Sequence, residues 1–114
     1  MIKILMSVVS VSSANNLLTK SQIIAVLSEN YADLAKEFPI ASLELFGSYA
    51  RDEQTPQSDI DLLVNFSRPM GFGFMHLADR LEALLGKRVD LLAADGIKPN
   101  RRDSILASLI HVAP

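Results

Sequence analysis

The stretch from Ser58 to Phe66 constrains this chain more than any other. Ile60, Leu62, Val64 and Phe66 alternate with Asp59, Asp61, Leu63 and Asn65, the period-two pattern of a strand with one face in a core. The second face is unusual, because it opens on two carboxylates. Such a strand needs other elements against its apolar face. The flanking segments supply them. Thr19-Lys20-Ser21-Gln22 is a capping box, and Ile23, Leu27, Tyr31, Leu34 and Phe38 follow on one helical stripe until Pro39 ends it. Ile40 to Phe46 is a short apolar strand running into Gly47. A loop from Ser67 to Gly73 precedes a helix from about Phe74 to Leu85, with Leu77, Leu81 and Leu84 inward and Gly86 as its left-handed stop. Arg88 to Ala93 is a third strand, and a last helix runs from about Arg101 to Ile110 behind an Asn100 cap. The expected class is α+β (mixed α/β), a small mixed sheet with helices mainly on one face.

With 114 residues there is room for one domain. The absence of cysteine removes disulfides and thiolate metal sites. The net charge of −2 argues against autonomous nucleic-acid binding by bulk electrostatics. Where the charge sits matters more. Between residues 41 and 66, Glu44, Asp52, Glu53, Asp59 and Asp61 face Arg51 alone, whereas residues 67–114 are net basic. An acidic block beside basic flanks suits a cation whose ligand also carries phosphate. The first eleven residues loosely resemble a secretory signal, but Ser7 and Ser10 interrupt the run and Lys3 is its one charge. Residues 1–18 are therefore expected to be an N-terminal arm, residues 19–114 the domain, and the location cytoplasmic. No apolar stretch reaches the ~20 residues that cross a bilayer.

The chemistry gathers around one spacing. Gly47-Ser48 ends a strand, and ten residues later Asp59-Ile60-Asp61 begins the next. Glycine there permits a tight turn and close backbone approach to a ligand. The amides that follow, with the Ser48 hydroxyl, can hold phosphate oxygens. Asp59 and Asp61 share one strand face with Cα atoms roughly 6.5–7 Å apart. Carboxylates so placed repel one another unless a cation joins them. Mg²⁺ takes oxygen ligands, and few from protein when phosphates complete its shell. Asp90 falls on the polar face of the third strand. If that strand is a neighbour, three carboxylates converge, enough for two metal ions and in-line attack at phosphorus.

Leu45-Phe46-Gly47-Ser48-Tyr49-Ala50-Arg51, Ser58-Asp59-Ile60-Asp61-Leu62-Leu63-Val64 and Leu84-Leu85-Gly86-Lys87-Arg88-Val89-Asp90-Leu91 together resemble the minimal nucleotidyltransferase (MNT) branch of the DNA-polymerase-β-like nucleotidyltransferase superfamily. The resemblance covers about residues 19–112. It implies a polymerase-β-like core and transfer of a nucleoside monophosphate from ATP to a hydroxyl, dependent on Mg²⁺ with two ions. It also implies a role as the antitoxin of a HEPN-type toxin RNase, inactivated by adenylylation, in a hetero-oligomer. Carried over by position, Gly47, Ser48 and Arg51 bind nucleotide, Asp59, Asp61 and Asp90 hold metal and are catalytic, and Asp90 is also the base. One departure stands out: Asp52 occupies the place after the arginine where the family often has glycine. Two other readings stay open at this point, an antitoxin acting by stoichiometric binding and transfer to RNA or to a small-molecule hydroxyl.

Each residue also has a plainer role. Arg51 can pair with Asp52 or Glu53, and Asp90 can be an edge residue beside Arg88. Tyr49 is expected to pack against the first helix, and His76 and His111 to be structural. Arg101-Arg102 reads as a solvated pair at a helix start. Met70 to Met75, apolar yet rich in glycine, is a candidate partner surface.

Overall fold

A computed structural model describes residues 18–114. Of the arm expected over residues 1–18, only Leu18 lies within the described residues, and it is buried in the core. Helix α1 (Lys20–Glu37) starts as its sequence demands. The Thr19 hydroxyl accepts the Gln22 amide at 3.1 Å, and the Gln22 side chain accepts the Thr19 amide at 2.9 Å. Strand β1 (Ile40–Phe46) runs straight into the one-turn helix α2 (Gly47–Ala50). Strand β2 (Ile60–Phe66), helix α3 (Gly73–Leu85) and strand β3 (Val89–Ala93) follow as a parallel crossover unit. Gly86, at φ +68°, ends α3 in the left-handed conformation.

The sheet has the order β3-β2-β1 and then a fourth strand, β4 (Ile110–Ala113). Strand β1 is antiparallel to both β2 and β4, so the sheet is mixed. The fourth strand corrects the sequence reading, which carried the last helix on to Ile110. That helix, α4, spans Pro99–Ala107. Its first helical residue is Pro99 behind Lys98, not an Asn100 cap; proline is favoured there because its φ suits the helix and its missing N–H costs nothing. Ile110 and Val112 turn to the main core, and His111 turns to the opposite face.

Two hydrophobic layers hold the sheet. On one face Leu43, Leu45, Ile60, Leu62 and Val64 pack against Ile23, Leu27 and Leu34 of α1 and Leu77, Leu81 and Leu85 of α3. Leu85, rather than the expected Leu84, is the buried member of the last turn, and Leu84 is only half-buried. On the other face Phe46 and Leu63 meet Ile105 of α4, with Leu92, Ile97 and Leu109 around them. The two long helices thus share one face, and α4 covers part of the other. That partial cover leaves the carboxylate-bearing end of the second face open.

Candidate active site

The site begins where β1 ends. Gly47 has φ +76°, a conformation that side-chain-bearing residues avoid. It is also pressed against β2, where an added Cβ would lie 2.1 Å from Asp61 Oδ2. No other residue fits between that turn and that carboxylate. The first amides of α2 have no acceptor within the helix. The Gly47 amide itself is taken, donating to Ser108 Oγ at 3.1 Å. This leaves Ser48, half-buried on the same turn, as the first residue with donors to offer.

Register places the carboxylates. Phe46 faces Asp61 across the antiparallel ladder, and Asp61 faces Asp90 across the parallel one. Asp61 and Asp90 therefore stand side by side, within hydrogen-bonding reach of each other. Burial, then the Asp90 charge and hydrogen bond, then Asp59, push the Asp61 pKa from 3.8 up to about 6. Two carboxyls held this way share a proton or a cation. An oxygen-only donor pair fits a hard divalent cation such as Mg²⁺. Asp59 sits just ahead of β2, with Oδ1 3.8 Å from Arg88 Nε. Among the described residues no three His, Cys, Asp or Glu side chains are already grouped for a metal. The fold brings Asp61 and Asp90 together and leaves Asp59 turned toward Arg88.

The loop after α2 explains the family departure. Asp52 takes the left-handed conformation, φ 58°, that glycine would adopt there without strain. Aspartate is among the residues that tolerate it best. Its carboxylate lies 3.2 Å from Lys20 Nζ. Arg51 pairs with Glu53, Nε to Oε1 at 2.9 Å, on the surface. Tyr49 is fully buried in the main core, as its packing role requires. A cleft of about 610 Å³ opens beside Asp59, lined by Pro56, Gln57, Ser58, Glu82, Lys87 and Arg88. A second, about 530 Å³, lies between Phe66, Met70, Phe74 and Asp95 at the far end of β2 and holds none of the site residues.

Three features were not assigned to the site from sequence. Ser108, at the end of α4, clamps the Gly47 turn. Arg101, in the first turn of α4, is close enough for its charge to pull Asp61 the opposite way from its acidic neighbours. Glu44 is a buried carboxylate, 8% exposed, on the same face. His111 Nδ1 lies 2.9 Å from its Oε2, and Ser42 and Asn65 approach its Oε1 at 3.5 Å. The Ile110-His111-Val112 alternation was the available signal for that last contact.

The nucleotidyltransferase domain family matches residues 27–112. The chain belongs to that family. A protein adenylyltransferase of Thermococcus cleftensis, MntA, is 35% identical over 97 residues, which is 84% of this chain and 98% of that protein. A solved structure described as a candidate minimal nucleotidyltransferase is 32% identical, with a TM-score of 0.67 over 82% of this chain and 95% of that one. At the level of fold alone, a chain from the complex of a tri-AMPylated Shewanella oneidensis HEPN toxin with its MNT antitoxin matches at 18% identity and a TM-score of 0.57. It covers 78% of this chain and 71% of that one. The four-stranded mixed sheet with its helices is thus the minimal nucleotidyltransferase fold that the sequence resemblance implied.

Proposed function

We propose that this nucleotidyltransferase moves AMP from ATP to a hydroxyl of a partner protein, and that the partner is a HEPN-type toxin which it inactivates. The observation that carries the reading is the in-register Asp61–Asp90 pair with Gly47 packed against it. The relative from Thermococcus, named for protein adenylylation, supports the acceptor class. The complex from Shewanella supports the partner.

In this reading Gly47 and Ser48 approach the triphosphate, the glycine by letting the backbone come close and the serine by donating hydrogen bonds. Asp61 and Asp90, together with Asp59, would hold Mg²⁺, and that ion would supply positive charge to the phosphate oxygens and to the attacking oxygen. Asp90 accepts the proton of the acceptor hydroxyl. The freed oxygen bonds to the α-phosphorus, the bond from that phosphorus to the bridging oxygen breaks, and pyrophosphate departs with it. Arg51, paired with Glu53, steadies the turn beside the phosphates.

The test is to incubate the protein with α-labelled ATP, Mg²⁺ and the partner. Label should appear on the partner and vanish with Asp59→Asn/Asp61→Asn or with a chelator. Undiminished labelling by the double variant rejects the site. Neutralisation of the toxin by that variant would favour stoichiometric binding instead.

A further inference from the structure

We propose that Arg101 is the side chain that takes the outer phosphates of the bound nucleoside triphosphate, a role the structure assigns to α4 rather than to the arginine of the Gly47 turn. The inference rests on the nucleotidyltransferase reading of the site and adds a binding residue to it.

The geometry starts from α4. Ile105 is buried against Phe46 and Leu63, and Leu63 is two residues from Asp61 on the same strand face. Ser108 binds the Gly47 amide at 3.1 Å. Arg101, Ile105 and Ser108 stand at i, i+4 and i+7, which is one stripe of a helix. The stripe that seals the back of the site therefore carries a guanidinium at its leading end, one turn from Ile105. An arginine side chain spans that distance.

Charge pairing among the neighbours narrows the choice to the basic residues of α4. Lys20 pairs with Asp52 at 3.2 Å, Arg51 with Glu53 at 2.9 Å and Arg88 with Asp59 at 3.8 Å, while Lys87 Nζ donates to the Pro56 carbonyl at 2.9 Å. Arg101 makes no ion pair among the described residues, is exposed, and lies close enough to Asp61 for its charge to act on that carboxylate. A triphosphate bound beside Asp59, Asp61 and Asp90 brings several more negative charges into an acidic site. A metal ion offsets part of that charge, and a guanidinium fork, matched to phosphate oxygens in a bidentate way, suits the rest. Arg102 is about 100° round the helix from this stripe and serves as the control.

Calorimetric titration of the full chain with Mg²⁺ and a non-hydrolysable ATP analogue, and separately with AMP, tests this. Arg101→Ala should weaken the triphosphate analogue about ten- to a hundredfold and leave AMP within twofold. Arg101→Lys should recover part of the loss, and Arg102→Ala should bind as the wild type. Equal analogue binding by wild type and Arg101→Ala overturns the inference while leaving the nucleotidyltransferase reading intact. So does an equal loss of analogue and AMP, which would mark a structural role. A wild type that binds no triphosphate overturns the underlying reading itself.

Discussion

Gly47 and Asp61 form the tightest residue-level coupling in the protein. Glycine is demanded twice at position 47, by φ +76° and by the carboxylate that occupies the space of a Cβ. Gly47→Ala must move Asp61 or the turn, and is expected to lower transferase activity by at least a hundredfold. It should also destabilise the fold by roughly 1–3 kcal/mol, measurable by urea unfolding beside the activity assay. Asp61 makes a prediction of its own. Its folded pKa of about 6 exceeds the ordinary 3.8, so between these values the native protein holds a proton that the unfolded chain has released. Stability therefore falls as pH rises across that window and levels off above it. Asp61→Asn removes the effect. It should be more stable than wild type at pH 7, by on the order of 1 kcal/mol for a half-exposed group. The two should converge below pH 3.8. Denaturation at pH 3.5 and pH 7 checks this, and a variant no more stable at pH 7 defeats it. Asp52 was legible as a departure from the family but not as a solution. Only the backbone shows it adopting the left-handed shape itself, steadied by Lys20.

Among the elements, α4 and β4 carry what sequence periodicity hid. The run from Ser104 to Val112 is too short and too continuously apolar for its period to separate the end of a helix from a four-residue strand. The pairing of Ile110 and His111 with β1 decides it, and that is a contact across the chain. Helix α4 earns its place through one side chain, Ile105, 2% exposed between Phe46 and Leu63. Ile105→Ala is expected to cost about 2–5 kcal/mol. Because the same helix holds Ser108 against Gly47, triphosphate affinity should fall as well. Thermal unfolding and nucleotide titration on one preparation test both halves, and an unchanged affinity would uncouple α4 from the site. The capping box of α1, the left-handed stop at Gly86 and β2 itself were all readable beforehand, since each is governed by neighbours within a few residues.

At the scale of the molecule, the net charge of −2 conceals a polar face on which carboxylates collect. The carboxylates of β2 and β3 gather at one end of the sheet, and α4 stops short of covering them. Adding Mg²⁺ at pH 7 should raise the melting temperature of the wild type by a few degrees. Asp61→Asn/Asp90→Asn should show no such rise, and an equal shift in both proteins would place the ion elsewhere. Sequence by itself determined the helices and strands that local pattern controls. It also singled out Gly47, Ser48, Asp59, Asp61 and Asp90 as candidates, because turn chemistry and strand parity act over a few residues. Tertiary structure alone decided which of these meet. Asp90 stands beside Asp61 only because β3 pairs in parallel with β2 at one register, since a slip of one residue would turn it to the other face. Arg51 turns to Glu53, and Arg101 comes to the site on a helix about fifty residues beyond the Gly-Ser turn, because burial of Ile105 sets where α4 lies. Such long-range packing has no local signature for a sequence to display.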